Sequence, residues 1–234
     1  MKKFLLITVC ATLLYSEVQA QDTNPDSERM GMYGDGMGVF GLRFMPTVSN
    51  LDVRNTNGLV EADFLWTIGF GGLIGYNFND VVGFEVDVIY NKLSQKYQDH
   101  NLDRRIDINY INIPVLLSLN TGRSRAINLN FVGGPQIGLN VGSEVTTTGP
   151  SNGTFATSAV LAVKKNDFGL AYGVGVDFGI NRARTVRLDV GFRGVFGLID
   201  VGDDSGTLQT DQYYILRKGN IETYSAYAGL TFLF

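Results

Sequence analysis

Apolar and polar residues alternate with period two along most of the chain, and the three-to-four spacing of an amphipathic helix is nearly absent. Between Gly83 and Asn91, Phe84, Val86, Val88 and Tyr90 fall on one face, opposite Gly83, Glu85, Asp87 and Asn91. From Val186 onward, Leu188, Val190, Phe192, Phe196 and Leu198 alternate with Arg187, Asp189, Gly191 and Arg193. A third run sets Phe168, Leu170, Tyr172, Val174, Val176 and Phe178 against Gly169, Ala171, Gly173, Gly175, Asp177 and Gly179. The pattern predicts eight strands, over 38–48, 66–78, 82–93, 107–119, 127–141, 167–180, 186–199 and 222–234. Most reach about ten residues, the length that crosses a bilayer at a tilt of about 45°, whereas soluble strands run to about five or six.

The connections sharpen this expectation. Asn79-Asp80, Thr121 to Arg125 and Asn181 to Arg184 read as short polar turns, whereas 49–65, 94–106, 142–166 and 200–221 read as long loops rich in Asn, Asp, Gly, Thr and Ser. Short turns at one rim and long loops at the other predict an all-β, eight-stranded antiparallel up-and-down transmembrane β-barrel with periplasmic turns and extracellular loops. Only a closed sheet satisfies its backbone in hydrocarbon. Aromatics mark two depths. Tyr76, Phe78, Phe84, Phe178, Phe232 and Phe234 fall near the short-turn rim, and Trp66, Tyr90, Tyr110, Phe168, Phe196 and Tyr224 near the other. A soluble lipocalin-like barrel is the rival fold; it would turn the apolar residues inward and the charges outward.

The first residues read as an address. Lys2 and Lys3 precede the apolar run Phe4 to Leu14, and Val18-Gln19-Ala20 offers the small residues that a signal peptidase reads. Residues 1–20 are therefore expected to be a cleaved signal, 21–36 a flexible lead-in and 37–234 the barrel domain. Cys10, the one cysteine, follows bulky Val9 and lies too early for a lipidated site, so the mature chain holds no disulfide. Loss of Lys2, Lys3 and Glu17 takes 19 basic and 23 acidic residues to 17 and 22, a net charge of −5. That balance carries no footprint for nucleic acid.

The pattern of short motifs resembles the PorT-like family, which belongs to the outer membrane protein beta-barrel domains. Tyr110-Ile111-Asn112-Ile113-Pro114-Val115-Leu116-Leu117 resembles the family's mid-chain strand, and Gly133-Gly134-Pro135-Gln136-Ile137-Gly138-Leu139 its next strand. Val39-Gly41-Leu42-Arg43 and terminal Phe234 complete the likeness; Asn112 stands where a carboxylate is common. The resemblance implies a small outer-membrane barrel, and one relation within it implies a part in a type IX secretion or gliding apparatus. Terminal strands ending in an aromatic, here with Phe232 and Phe234, resemble those that the outer-membrane assembly machinery recognises. Pro114 and Pro135 each remove a ladder donor, which predicts a bulge or a missing ladder bond at each.

Candidate chemistry is sparse. Seven charged residues fall on the inward face: Arg43, Glu85, Asp87, Asp177, Arg187, Asp189 and Arg193. Buried charges must be paired, and an eight-stranded barrel is only wide enough to be filled by side chains, so a structural network is expected in preference to a proton or ion path. His100, the one histidine, sits between Asp99 and Asp103 with Ser94 nearby, in a predicted loop without the geometry of a triad or metal site. Asp200, Asp203, Asp204 and Asp211 match no calcium loop, and Gly173-Val174-Gly175 lies inside a strand where no nucleotide loop forms. We therefore expect no catalytic residues, no metal and no cofactor. The expected partners are outer-membrane lipid, the assembly machinery and an envelope protein. The role expected is structural or interactive, with a barrel enzyme or a narrow channel as the other class.

Overall fold

The computed structural model describes residues 36–51, 62–99, 102–148, 159–160, 164–199, 213–214 and 220–234. Eight strands form the wall: β1 (Met37–Leu51), β2 (Trp66–Asn77), β3 (Val82–Asp99), β4 (Leu102–Asn120), β5 (Ile127–Thr148), β6 (Asn166–Gly179), β7 (Val186–Gly197) and β8 (Ile221–Leu233). Each pairs antiparallel with its neighbour in sequence, and β1 pairs with β8, so the sheet closes on itself. Closure leaves no edge in the hydrocarbon layer.

The inside-out pattern rules out the soluble rival. Leu42, Phe44, Ile68, Phe70, Ile74, Val88, Leu117, Phe131, Leu170 and Phe192 are exposed on the outer wall, whereas Arg43, Glu85, Asp87, Asp177, Arg187, Asp189 and Arg193 are buried. Outer-wall aromatics meet across neighbouring strands: Phe40 stacks on Phe232 at 6.0 Å near the short-turn rim, and Phe192 on Tyr224 at 6.2 Å near the other. Tyr110 departs from its expected place in this girdle. It is buried on the inner face, because it shares the parity of Ile106 and Ile108, which are also fully buried.

The segments expected as loops are partly strand. β3, β4 and β5 run for 18, 19 and 22 residues, against 12 to 15 for the other five. Pairing continues to Asp99↔Leu102 between β3 and β4 and to Asp103↔Thr148 between β4 and β5. Residues 94–99, 102–106 and 142–148 therefore build a sheet that rises above the membrane. Polarity concealed it from the alternation pattern, since Ser94 and Gln95 are polar although buried. Ala62–Phe64 extends this sheet by pairing with Gln95, Lys96 and Tyr97, and Ala159–Val160 pairs parallel with Tyr213–Tyr214. His100 and Asp200, Asp203, Asp204 and Asp211 lie outside the described residues.

The prolines interrupt pairing without shifting register. The β3–β4 ladder passes from Val86↔Val115 to Ile89↔Asn112, skipping Pro114, and the β4–β5 ladder passes from Pro114↔Gln136 to Leu117↔Gly133, skipping Pro135. Pro46 does the same between Phe44↔Ala228 and Thr47↔Ser225. Among the described residues the register shifts once, elsewhere, at Asn109/Tyr110, where β5 holds the extra residue Val141. Gly142 N there turns to Asn140 Oδ1 at 2.9 Å.

Candidate functional site

The inward-facing charges form two groups at different depths. In the middle of the wall, Arg43 Nη1 donates to Glu85 Oε1 at 2.8 Å and to Asp87 Oδ2 at 2.6 Å, and its Nη2 donates to Asp189 Oδ2 at 2.8 Å. Arg193 Nη2 reaches Glu85 Oε1 at 3.1 Å and its Nη1 pairs with Asp87. Two guanidinium groups thus share three carboxylates across β1, β3 and β7. Nearer the short turns, Arg187 Nε pairs with Asp177. Asp177 Oδ2 also accepts from Asn128 Nδ2 at 2.6 Å and Asn130 Nδ2 at 3.3 Å.

Strand register explains how long side chains fit. Arg43 faces Gly71 on one neighbouring strand and Gly229 on the other. Arg187 faces Gly179 and Thr231, and Arg193 faces Gly173 and Ser225. A guanidinium lying across a glycine covers backbone instead of meeting another side chain. Asp177 and Asp189 are direct cross-strand neighbours, a like-charge pair that is tolerable because each turns to a different arginine, Arg187 and Arg43.

Tyr227, absent from the sequence-based set, belongs to the central group. The Arg43 guanidinium carbon lies 4.6 Å from its ring centre and that of Arg193 lies 5.7 Å away. The ring thus accepts both cations on a surface that needs no further hydrogen-bond partner. Its place was legible by parity, since Ser225, Tyr227 and Gly229 share a face of the last strand. The clasp on the cations was not legible, because it joins Tyr227 both to Arg193, 34 positions away, and to Arg43, 184 positions away.

The β4–β5 turn folds inward beneath these groups. Three consecutive carbonyls of that turn accept from arginines: Arg123 O and Arg125 O from Arg187 at 3.0 Å each, and Ser124 O from Arg184 Nη1 at 2.5 Å. Asp80 of the first short turn accepts from Ser124 N at 2.6 Å and Ser124 Oγ at 2.9 Å. Arg184 adopts a left-handed backbone, φ 59°, which aims its side chain at the neighbouring turn. Above the central group, a cavity of about 20 Å³ touches Asn91, Asn112, Gln136, Arg193, Thr223 and Ser225. That space suits a single water and no organic substrate. Among the described residues no group of three or more His, Cys, Asp or Glu side chains is arranged to hold a metal ion.

Phe232 and Phe234 both face outward at the short-turn rim. Phe234 covers Gly38, where a Cβ would lie 2.6 Å from the ring, and its backbone exchanges hydrogen bonds with Gly38 at 2.8 and 3.0 Å. The last residue thereby seals the β1–β8 seam.

With this geometry in hand, comparison with known proteins is specific at the level of fold and family. OprG from Pseudomonas aeruginosa shares 17% identity over 86% of this chain and 98% of its own, with a TM-score of 0.53. Neisserial surface protein A gives 13% identity over 84% of this chain and 97% of its own at a TM-score of 0.46. Ail of Yersinia pestis gives 13% identity, 86% and 99% coverage and a TM-score of 0.44. Curated proteins give no sequence match. The family model described as "Outer membrane protein beta-barrel domain" matches residues 19–203, and the chain belongs to that family, as an eight-stranded barrel of the Gram-negative outer membrane.

Proposed function

We propose that the protein is a non-enzymatic barrel that presents its long-loop end, above all the raised sheet of β3, β4 and β5, to a partner in or outside the envelope. One observation carries this reading: the sheet stands on a wall whose interior is filled by paired charge. Arg43, Glu85, Asp87, Asp189 and Arg193 occupy the middle and Arg187 and Asp177 the lower lumen, all buried. In this reading the seven residues are structural. They hold the wall rigid beneath the sheet, and a narrow channel or a lumenal enzyme finds no open path among them.

Export on this account uses residues 1–20 as a cleaved signal, and insertion uses Phe232 and Phe234 as the terminal signature met by the assembly machinery. The PorT-like resemblance of Tyr110–Leu117 and Gly133–Leu139 supports a second reading, a component of a type IX secretion or gliding apparatus that docks at the periplasmic rim.

Photo-crosslinking in whole cells separates the two. A crosslinker at Thr146 or Ser143, on the raised sheet, should capture a partner, and one at Arg182, on the opposite rim, should not. Capture only from Arg182 would favour the secretion reading and overturn the first. N-terminal sequencing of the membrane fraction should begin at Gln21.

A further inference from the structure

The central group of the lumen does not balance its own charge. Arg43 and Arg193 bring two positive charges to Glu85, Asp87 and Asp189, which carry three negative charges when all are ionised. The neighbours do not supply the difference. Arg187 is matched by Asp177, and Arg123, the other buried arginine among the described residues, sits in the β4–β5 turn and donates to Asn120. The strands beside Glu85 and Asp87 are uncharged at this depth: β2 sets Gly75 and Leu73 opposite them, and β4 sets Leu116 opposite Glu85. From β8, Tyr227 brings a neutral ring. A net charge buried in a membrane-spanning wall is costly, and buried groups neutralise themselves by taking up a proton.

The carboxyls are also unevenly placed. Glu85 and Asp87 stand two positions apart on β3, so both project from one face of the strand. Arg43 Nη1 lies between Glu85 Oε1, at 2.8 Å, and Asp87 Oδ2, at 2.6 Å, and Arg193 reaches the same two oxygens. The two side chains meet carboxyl to carboxyl, a contact that is a hydrogen bond only when one of them is protonated. Asp87 Oδ1 is buried and has no partner of its own. Asp189 Oδ1 is likewise unpartnered, but Asp189 stands on β7 with Arg43 as its ion pair. Two ionised carboxylates held together repel, and a proton between them turns the repulsion into a bond.

We propose that the central group binds one proton at neutral pH, carried on Asp87 and donated to the carboxyl of Glu85. Two guanidinium groups then face two carboxylates and one neutral acid, and the lumen carries no net charge at that depth. The proton is a structural ligand: it is held, and the inward fold of the β4–β5 turn closes the lumen beneath it. A folded barrel that holds a proton its unfolded chain lacks loses stability as pH rises.

Infrared spectroscopy of the full-length barrel refolded in vesicles at neutral pH tests this, because a protonated carboxyl has a carbonyl band that an ionised one lacks. The wild type should show the band, identified by its shift in D2O. Asp87→Asn, Glu85→Gln and Asp189→Asn each remove one negative charge and keep the shape, so each should lose the intensity of one carboxyl. Heat-modifiable gel migration confirms that each variant is a folded barrel. In the wild type itself, raising the pH should remove the band as the unfolding equilibrium constant rises, by up to about tenfold per unit. A wild type without the band, a folded central variant with full intensity, or a band lost at high pH with no change in stability overturns the proposal. So does a band that disappears wholly in Asp167→Asn, since the proton would then sit on that buried carboxyl outside the group.

Discussion

Arg43 Nη1 lies 2.6 Å from Asp87 Oδ2, and the two residues come from strands that do not pair with each other. The contact crosses the lumen above β2, where Gly71 replaces the side chain that would otherwise stand between them. It therefore joins wall to wall, and hydrogen bonds of the ladder cannot substitute for it.

Loss of Arg43 should cost more than loss of any one of its carboxylates. Arg43→Met leaves Glu85 and Asp87 to Arg193 and takes from Asp189 its ion pair, and removing one partner from buried ionic groups costs about 3–5 kcal/mol. Asp189→Asn keeps the shape and relieves a surplus of negative charge, so its cost should be clearly smaller. Urea unfolding in lipid vesicles measures both, and equal costs would show that charge balance is not what the cluster provides.

Tyr227 should be coupled to the glycines it covers. A Cβ at Gly175 would lie 2.1 Å from Tyr227 Oη and 2.8 Å from Asn130 Oδ1. Gly175→Ala should destabilise by about 1–3 kcal/mol through overpacking. With Tyr227→Phe the nearest remaining ring atom is Cζ, at 3.2 Å, so the double variant should recover part of the loss. A double-mutant cycle that gives strictly additive costs would place the strain in the backbone instead.

The alternation of Gly83 to Asn91 and of Val186 to Arg193 made the wall and its inward charges legible, because side-chain parity in a strand is fixed by geometry alone. Parity also carried Tyr110 inward, against its reading as a girdle aromatic, since ring chemistry says nothing about which face a residue occupies. The raised sheet was hidden because Ser94, Gln95, Lys96 and Asp103 to Arg105 look like loop in composition, and Ser94 and Gln95 are polar although buried, so they mark no apolar face. The division of the seven charges into two groups, and the inward fold of Thr121 to Arg125, depend on register between strands, which a single sequence does not encode locally.

Depth along the wall should be readable from arginine scanning. Val88 and Val141 are equally exposed on the outer wall, at 53% each, but Val88 lies mid-strand and Val141 at the bulge where the wall leaves the membrane. Val88→Arg should cost about 2–4 kcal/mol and Val141→Arg about 0–1, the difference between midplane and interface. Refolding into vesicles under a urea gradient gives both values. Similar costs would mean that the hydrocarbon layer extends past the bulge and covers the base of the raised sheet.

Acid should loosen the raised sheet before it loosens the wall. Asp107 stands at the base of the raised sheet, opposite Ser94 in the β3–β4 ladder and Glu144 in the β4–β5 ladder. Partial burial pushes its carboxyl up, but hydrogen bonds from Ser94, Arg105 and Lys92 more than offset this and hold it below the ordinary aspartate value of about 3.9. A carboxyl lowered by folding contributes stability that is complete above its unfolded value and disappears as pH falls through its folded one. Protection of the amides of Lys92 to Lys96 and Arg105 to Asn109 from hydrogen exchange should therefore decline below about pH 4, after correction for intrinsic rates. Protection between Val82 and Tyr90 should persist over the same range. Asp107→Asn should lower protection of the raised segment at neutral pH and flatten its response to acid. An undiminished acid response in that variant would assign the loosening to other carboxylates of the sheet, with Glu144, directly across the β4–β5 ladder from Asp107, the first to substitute.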